Sequence, residues 1–126
     1  MIEKDLFIYL KEKVYPDLVM SNSPISRWDC YSPKRKHRIE LKCRKKHYDE
    51  LVIERGKFDA MIFKANDNFD LPIYINSTPK GVYKWNLFFV SPTWFMKELP
   101  KTTQFSNNAK ISKEIAMLPI IDAEVL

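Results

Sequence analysis

Glycine is almost missing from this chain: Gly56 and Gly81 are the only two in 126 residues. A phosphate-cradling loop or a dinucleotide fingerprint needs several glycines close together, so both are excluded. Cysteine is equally sparse. Cys30 and Cys43 lack zinc-ligand spacing. They read as buried free thiols in a reducing compartment rather than a cross-strand disulfide, because cysteine packs as a small hydrophobe. His37 and His47 are the only histidines, and neither has a serine or cysteine partner in a nucleophile motif. Both read as surface residues flanking a basic strand. No apolar run approaches the roughly 20 residues that span a bilayer. The charged N-terminus lacks the apolar core of a signal peptide. A cytoplasmic protein without a membrane partner is expected.

What is present fits one soluble domain. Apolar residues make up 45% and charged residues 29%, the balance of a globular chain. Residues 1–126 read as a single domain, with 91–126 a C-terminal extension of uncertain structure. The net charge is +5, and it is unevenly placed. Lys34, Arg35, Lys36, Arg38, Lys42, Arg44, Lys45 and Lys46 crowd one segment in which Glu40 is the single acid. Such a basic stretch favours a polyanionic partner.

Apolar spacing at Ile2, Leu6, Leu10 and Val14 predicts a helix over 2–14, ended by Pro16. Residues 18–20 read as a short strand, 22–24 as a turn, and 26–31 as a strand. A turn at 32–35 leads into a strand over 37–44. There Ile39, Leu41 and Cys43 alternate with Arg38, Glu40, Lys42 and Arg44. A second helix is predicted over 48–64, with Leu51, Phe58, Met61 and Ile62 as its apolar stripe. Strands follow over 71–75 and 82–90, with Pro72 tolerated only near a strand start or on an edge. Residues 94–99 read as a short helical or irregular piece, and 111–118 as either helix or strand. Tyr74, Trp85 and Trp94 read as core or dimer-contact aromatics. The order α-β-β-β-α-β-β gives an α/β fold, with α+β as the alternative: a central mixed sheet flanked by helices.

Asp29 and Glu40 fall on the two strands of a predicted hairpin, and Lys42 follows Glu40 on the same face. Two carboxylates can converge on one Mg²⁺, which favours oxygen ligands and is usually held by one or two carboxylates plus water and phosphate. Such an ion polarises a phosphoryl oxygen and lowers the pKa of bound water. Lys42 would orient that water or stabilise charge on phosphorus. Arg44, a further pleat along, would hold a neighbouring phosphate. The competing reading makes Glu40 and Lys42 a solvated cross-strand ion pair, worth little. Glu54 and Lys57 read as an exposed face of the second helix, with recruitment of that helix to the site as the alternative.

Asp29, Glu40-x-Lys42 and the element order over residues 1–90 resemble the PD-(D/E)xK superfamily, the restriction-endonuclease-like nucleases that include Holliday-junction resolvases and phage nucleases. The residue before the aspartate, often proline there, is Trp28 here. The resemblance implies a Mg²⁺-dependent endonuclease hydrolysing DNA phosphodiester bonds, branched or junction DNA among its candidate substrates. Many resolvases of the superfamily add an acid on the first helix, and Glu3 is the best match, ahead of Asp5 and Glu12. The expected catalytic set is therefore Glu3, Asp29, Glu40 and Lys42. The expected metal ligands are Asp29, Glu40 and the Leu41 carbonyl, with Mn²⁺ able to substitute. Lys34, Arg35, Lys36, Arg44, Lys45 and Lys46 are expected to contact DNA. A homodimer is expected, with Phe105, Ile111, Ile115 and Leu118 as its contact. A phage origin, and hence a host cytoplasm, fits by analogy. The alternative is a non-catalytic nucleic-acid-binding module that uses residues 34–46.

Overall fold

The computed structural model describes residues 1–22, 28–100 and 110–126. Helix α1 spans Glu3–Lys13, and two short strands follow, β1 (Val19–Met20) and β2 (Cys30–Ser32). Strand β3 (His37–Cys43) completes a hairpin with β2, pairing Cys30 with Ile39 and Ser32 with His37. Lys36, in the tight turn between them, takes a left-handed φ of 56°. The turn is anchored from below: Ser32 Oγ and the Lys34 N–H both donate to Asp17.

The segment predicted as one helix over 48–64 divides in two. Strand β4 (Glu50–Glu54) comes first, and helix α2 begins only at Arg55 and runs to Asp67. The reason is a change of period. Leu51 and Ile53 are buried two residues apart, which suits the pleat. Phe58, Met61, Ile62 and Ala65 then follow at i, i+3, i+4, i+7 and face the core. Strands β5 (Leu71–Thr78) and β6 (Gly81–Asn86) form the next hairpin. Pro72 sits second in β5, where its missing N–H is tolerated. Beyond it, the irregular piece expected near 94–99 is strand β7 (Phe95–Pro100). The stretch left open at 111–118 is a strand, β8 (Lys110–Pro119), and β9 (Glu124–Val125) closes the chain.

Two sheets result. The larger has the order β1-β2-β3-β5-β6-β9, with β3 and β5 parallel and its other pairs antiparallel. The smaller, β4-β8-β7, is antiparallel. Against one face of the large sheet α1 sends Leu6 and Leu10 onto Ile39, Leu41, Ile73 and Ile75. Against the other, α2 and the small sheet pack Met61, Leu51, Ile53 and Leu118 around Tyr74 and Trp85. Helix α1 covers one face of β3; on the other, Glu40 is buried beside Tyr74 while Lys42 is exposed. No helix among the described residues is long and apolar enough to cross a membrane.

Candidate active site

Asp29 lies one residue before β2, not in the middle of a strand as its surroundings in sequence predict. Its backbone is nevertheless held on both sides. The Asp29 N–H donates to Ile39 O at 2.8 Å, and Ser21 N–H donates to Asp29 O at 2.8 Å. Its side chain takes the next place in the ladder: Leu41 N–H donates to Asp29 Oδ2 at 2.7 Å. In a strand the N–H and C=O of one residue leave by the same edge. The Leu41 carbonyl thus leaves β3 on the edge where Asp29 lies.

Glu40 is buried, with 6% of its surface exposed. Enclosure between the sheets pushes its carboxyl up to about 7. The charge of Asp29 adds to this and that of Lys57 opposes it. Glu3, at the start of α1, is also held above the ordinary carboxylate range, by burial first and then by the neighbouring Asp29. The charge of Lys42 lowers both. Three acids therefore crowd together, with Asp29 acting on each of the other two. A solvated ion-pair face is not what β3 presents at Glu40.

Lys57, read from the sequence as an exposed helix face with recruitment to the site as the alternative, stands at the site. Its ammonium stands 3.4 Å from Glu40 Oε1. Moving the helix start to Arg55 puts Lys57 in the first turn of α2, over β3 instead of on an outer face. The alternation at Leu51 and Ile53 was the signal that would have found it. Glu54, paired with it as exposed, ends β4 and binds Lys113 Nζ at 2.6 Å.

The basic residues separate into two kinds. Lys34, Arg35 and Lys36 are exposed at the hairpin turn, and Lys45 and Lys46 are exposed just beyond β3. At about 3.3 Å per residue the two groups bracket Glu40, the nearer lysine of each about 13–17 Å along the strand. Arg44 faces inward instead. Its Nε donates to Asn76 Oδ1 at 2.9 Å, and its Nη2 donates to Val52 O at 2.9 Å and Tyr74 Oη at 3.1 Å. Those bonds tie β3 to β4 and β5, so the guanidinium is committed to the protein. Arg38 stacks over Trp28 and Tyr31 at 5.0 and 5.2 Å and pairs with the buried Asp70. This cluster braces the residue next to Asp29.

Other expectations change. His37 is buried, not on the surface, and its Nδ1 is bonded to Tyr15 Oη at 2.8 Å. Burial pulls its pKa down to about 4, and the charges of Lys84 and Arg35 pull the same way. His47 Nδ1 bonds Thr78 Oγ1 at 2.8 Å. Both cysteines are free; Cys30 is buried, and Cys43 is only half-buried. Tyr74 and Trp85 are core residues, whereas Trp94 packs edge-on to Phe58. Ile115 and Leu118 are each 1% exposed inside the fold, which removes them from any contact with a second chain. Ile111 is exposed. Phe105, like the 22–24 turn and the start of the 26–31 strand, falls on or runs into residues outside those described.

A hard divalent cation fits this donor set. Among the described residues no three His, Cys, Asp or Glu side chains form a closed metal cage. Mg²⁺ does not require one: two carboxylates, water and substrate phosphate suffice. The observation that bears on fit is the mutual crowding of Asp29, Glu40 and Glu3, whose charges a cation would offset.

No protein-family model matches the chain, and no curated protein matches it. Among solved structures it is similar to Hjc, a Holliday junction resolvase from the archaeal hyperthermophile Archaeoglobus fulgidus. The TM-score is 0.56, over 90% of this chain and 87% of the resolvase, at 14% identity. A likeness at that identity is one of fold: this chain has the mixed central sheet and flanking helices of that resolvase.

Proposed function

We propose that the chain is a metal-dependent endonuclease that hydrolyses DNA phosphodiester bonds. The observation that carries this reading is the bond from Leu41 N–H to Asp29 Oδ2, which fixes one acid beside another, Glu40, on a buried strand. Asp29, Glu40 and the Leu41 carbonyl would hold Mg²⁺, or Mn²⁺ in its place. The bound ion would supply Lewis-acid polarisation of the phosphoryl oxygen. Glu3 would accept a proton from water entering beside Asp29. Lys42 presents its ammonium to charge developing on the phosphate. Lys34, Arg35, Lys36, Lys45 and Lys46 take flanking phosphates and set the register of the duplex.

The likeness to a junction resolvase favours branched DNA as substrate, and a homodimer would present two such sites to two strands. A pure phosphate-binding module has no use for three crowded acids, which would repel its ligand. Incubation with supercoiled plasmid and a synthetic four-way junction, in Mg²⁺, Mn²⁺ or EDTA, tests the proposal. Metal-dependent cutting is expected. Binding without cutting would favour the module, and neither binding nor cutting would remove both.

A further inference from the structure

Lys57 meets Glu40 across an asymmetric boundary. The carboxylate side chain is 7% exposed and the lysine side chain 32%. One end of the pair is sealed in the protein, and the other reaches solvent. Lys57 also lines an open groove of about 570 Å³ together with Glu54, Arg55, Gly56, Asp59 and Lys113. A side chain at Gly56 would meet nothing within 4 Å, so the groove floor is open there.

The other cations of this groove are engaged with its own acids, outside the candidate site. Arg55 Nη1 is 2.8 Å from Glu114 Oε2 and its Nε 3.5 Å from Asp59, while Lys113 is paired with Glu54. Lys57 alone among them is paired with a residue of the candidate site. A divalent ion that takes Glu40 must take it from Lys57. The displaced ammonium then has an open groove on the solvent side to enter.

We infer that Lys57 is an exchangeable cation, holding Glu40 in the metal-free protein and passing to a DNA phosphate when a divalent ion occupies Glu40. This rests on the nuclease reading and adds to it a coupling between metal and DNA. Lys57 opposes metal when no phosphate is present and ceases to oppose it when one is. Linkage is reciprocal, so the ion must tighten DNA by the factor by which DNA tightens the ion.

The test uses calorimetric Mn²⁺ affinity, with and without a four-way junction, in the Lys42→Ala background so that the DNA stays intact. Adding Lys57→Met should tighten Mn²⁺ in the DNA-free protein. The ratio of DNA-bound to DNA-free affinity should shrink by roughly fivefold or more, the low end of usual coupling factors. Lys57→Arg, which keeps the cation, should preserve the ratio. If Lys57→Met tightens Mn²⁺ equally in both states, the lysine acts only as a fixed charge and the exchange is wrong. An unchanged DNA-free affinity overturns it as well. If the Lys42→Ala protein binds Mn²⁺ no better than a form that also lacks Asp29 and Glu40, the nuclease reading itself falls, and the exchange with it.

Discussion

Leu41 N–H donates to Asp29 Oδ2 at 2.7 Å, so the aspartate replaces a backbone partner in the ladder of the strand that carries Glu40. The bond gives Asp29 two separable properties, an acceptor that the fold uses and a charge that crowds Glu3 and Glu40. Asp29→Asn keeps the acceptor and removes the charge. It should leave the metal-free protein within about 1 kcal/mol of wild type at pH 8, or more stable, while cleavage falls at least ~100-fold. Asp29→Ala also orphans the Leu41 N–H and should cost about 1–3 kcal/mol. Urea unfolding beside plasmid cleavage separates the two. Equal destabilisation by both variants would mean that the acceptor contributes nothing.

Arg44 was expected on DNA but bonds Asn76, Val52 O and Tyr74. Arg44→Ala should destabilise the fold by about 2–3 kcal/mol, because it leaves polar groups between the sheets without their charged donor. The salt dependence of DNA binding should stay as in wild type. A flattened salt slope with unchanged stability would return Arg44 to the DNA surface.

The buried His37 gives a pH dependence with a defined sign. Its pKa is about 4 in the folded protein and about 6.5 in an unfolded chain. Between those values the unfolded state binds the proton, so stability is full above about pH 6.5 and declines as pH falls to about 4. Roughly 3 kcal/mol is at stake. Urea titrations at pH 7 and pH 4.5 should show wild type losing more stability than His37→Gln, which does not titrate. Equal losses would place the histidine in water.

The β2–β3 hairpin was legible because a half-covered strand writes a period of two into its sequence, and residues 38–44 keep it without a break. The small sheet was not. Leu51, Val52 and Ile53 precede a helical stripe, and the partner that makes them a strand, β8, lies more than sixty residues later, pairing Glu50 with Pro119. A local pattern cannot reveal so distant a ladder. The same distance hid Lys57, whose place in the first turn of α2 depends on where β4 ends. His37 and Arg44 read as solvent-facing because their neighbours are basic. What encloses them comes from elsewhere: Tyr15 for His37, Val52 and Asn76 for Arg44.

The turn lysines should act on affinity alone. Lys34 and Lys36 are exposed at the far end of β3 from Lys42. Replacing both with alanine should lower the slope of log affinity against log salt by about 1–2, since each phosphate contact releases about 0.9 counterion on duplex DNA. Cleavage at saturating protein should persist. An unchanged slope would place the DNA elsewhere.

Lys42 bears most directly on the central claim, because it shares a face of β3 with Glu40 and reaches both crowded acids with its charge. The measurement is single-turnover cleavage of a four-way junction by wild type and Lys42→Ala in Mg²⁺, beside junction affinity in EDTA. Cleavage should fall at least ~100-fold while affinity changes less than about threefold, the size expected from one lost phosphate contact. Cutting at the wild-type rate by Lys42→Ala would contradict the assignment of Asp29, Glu40 and Lys42 as the nuclease centre.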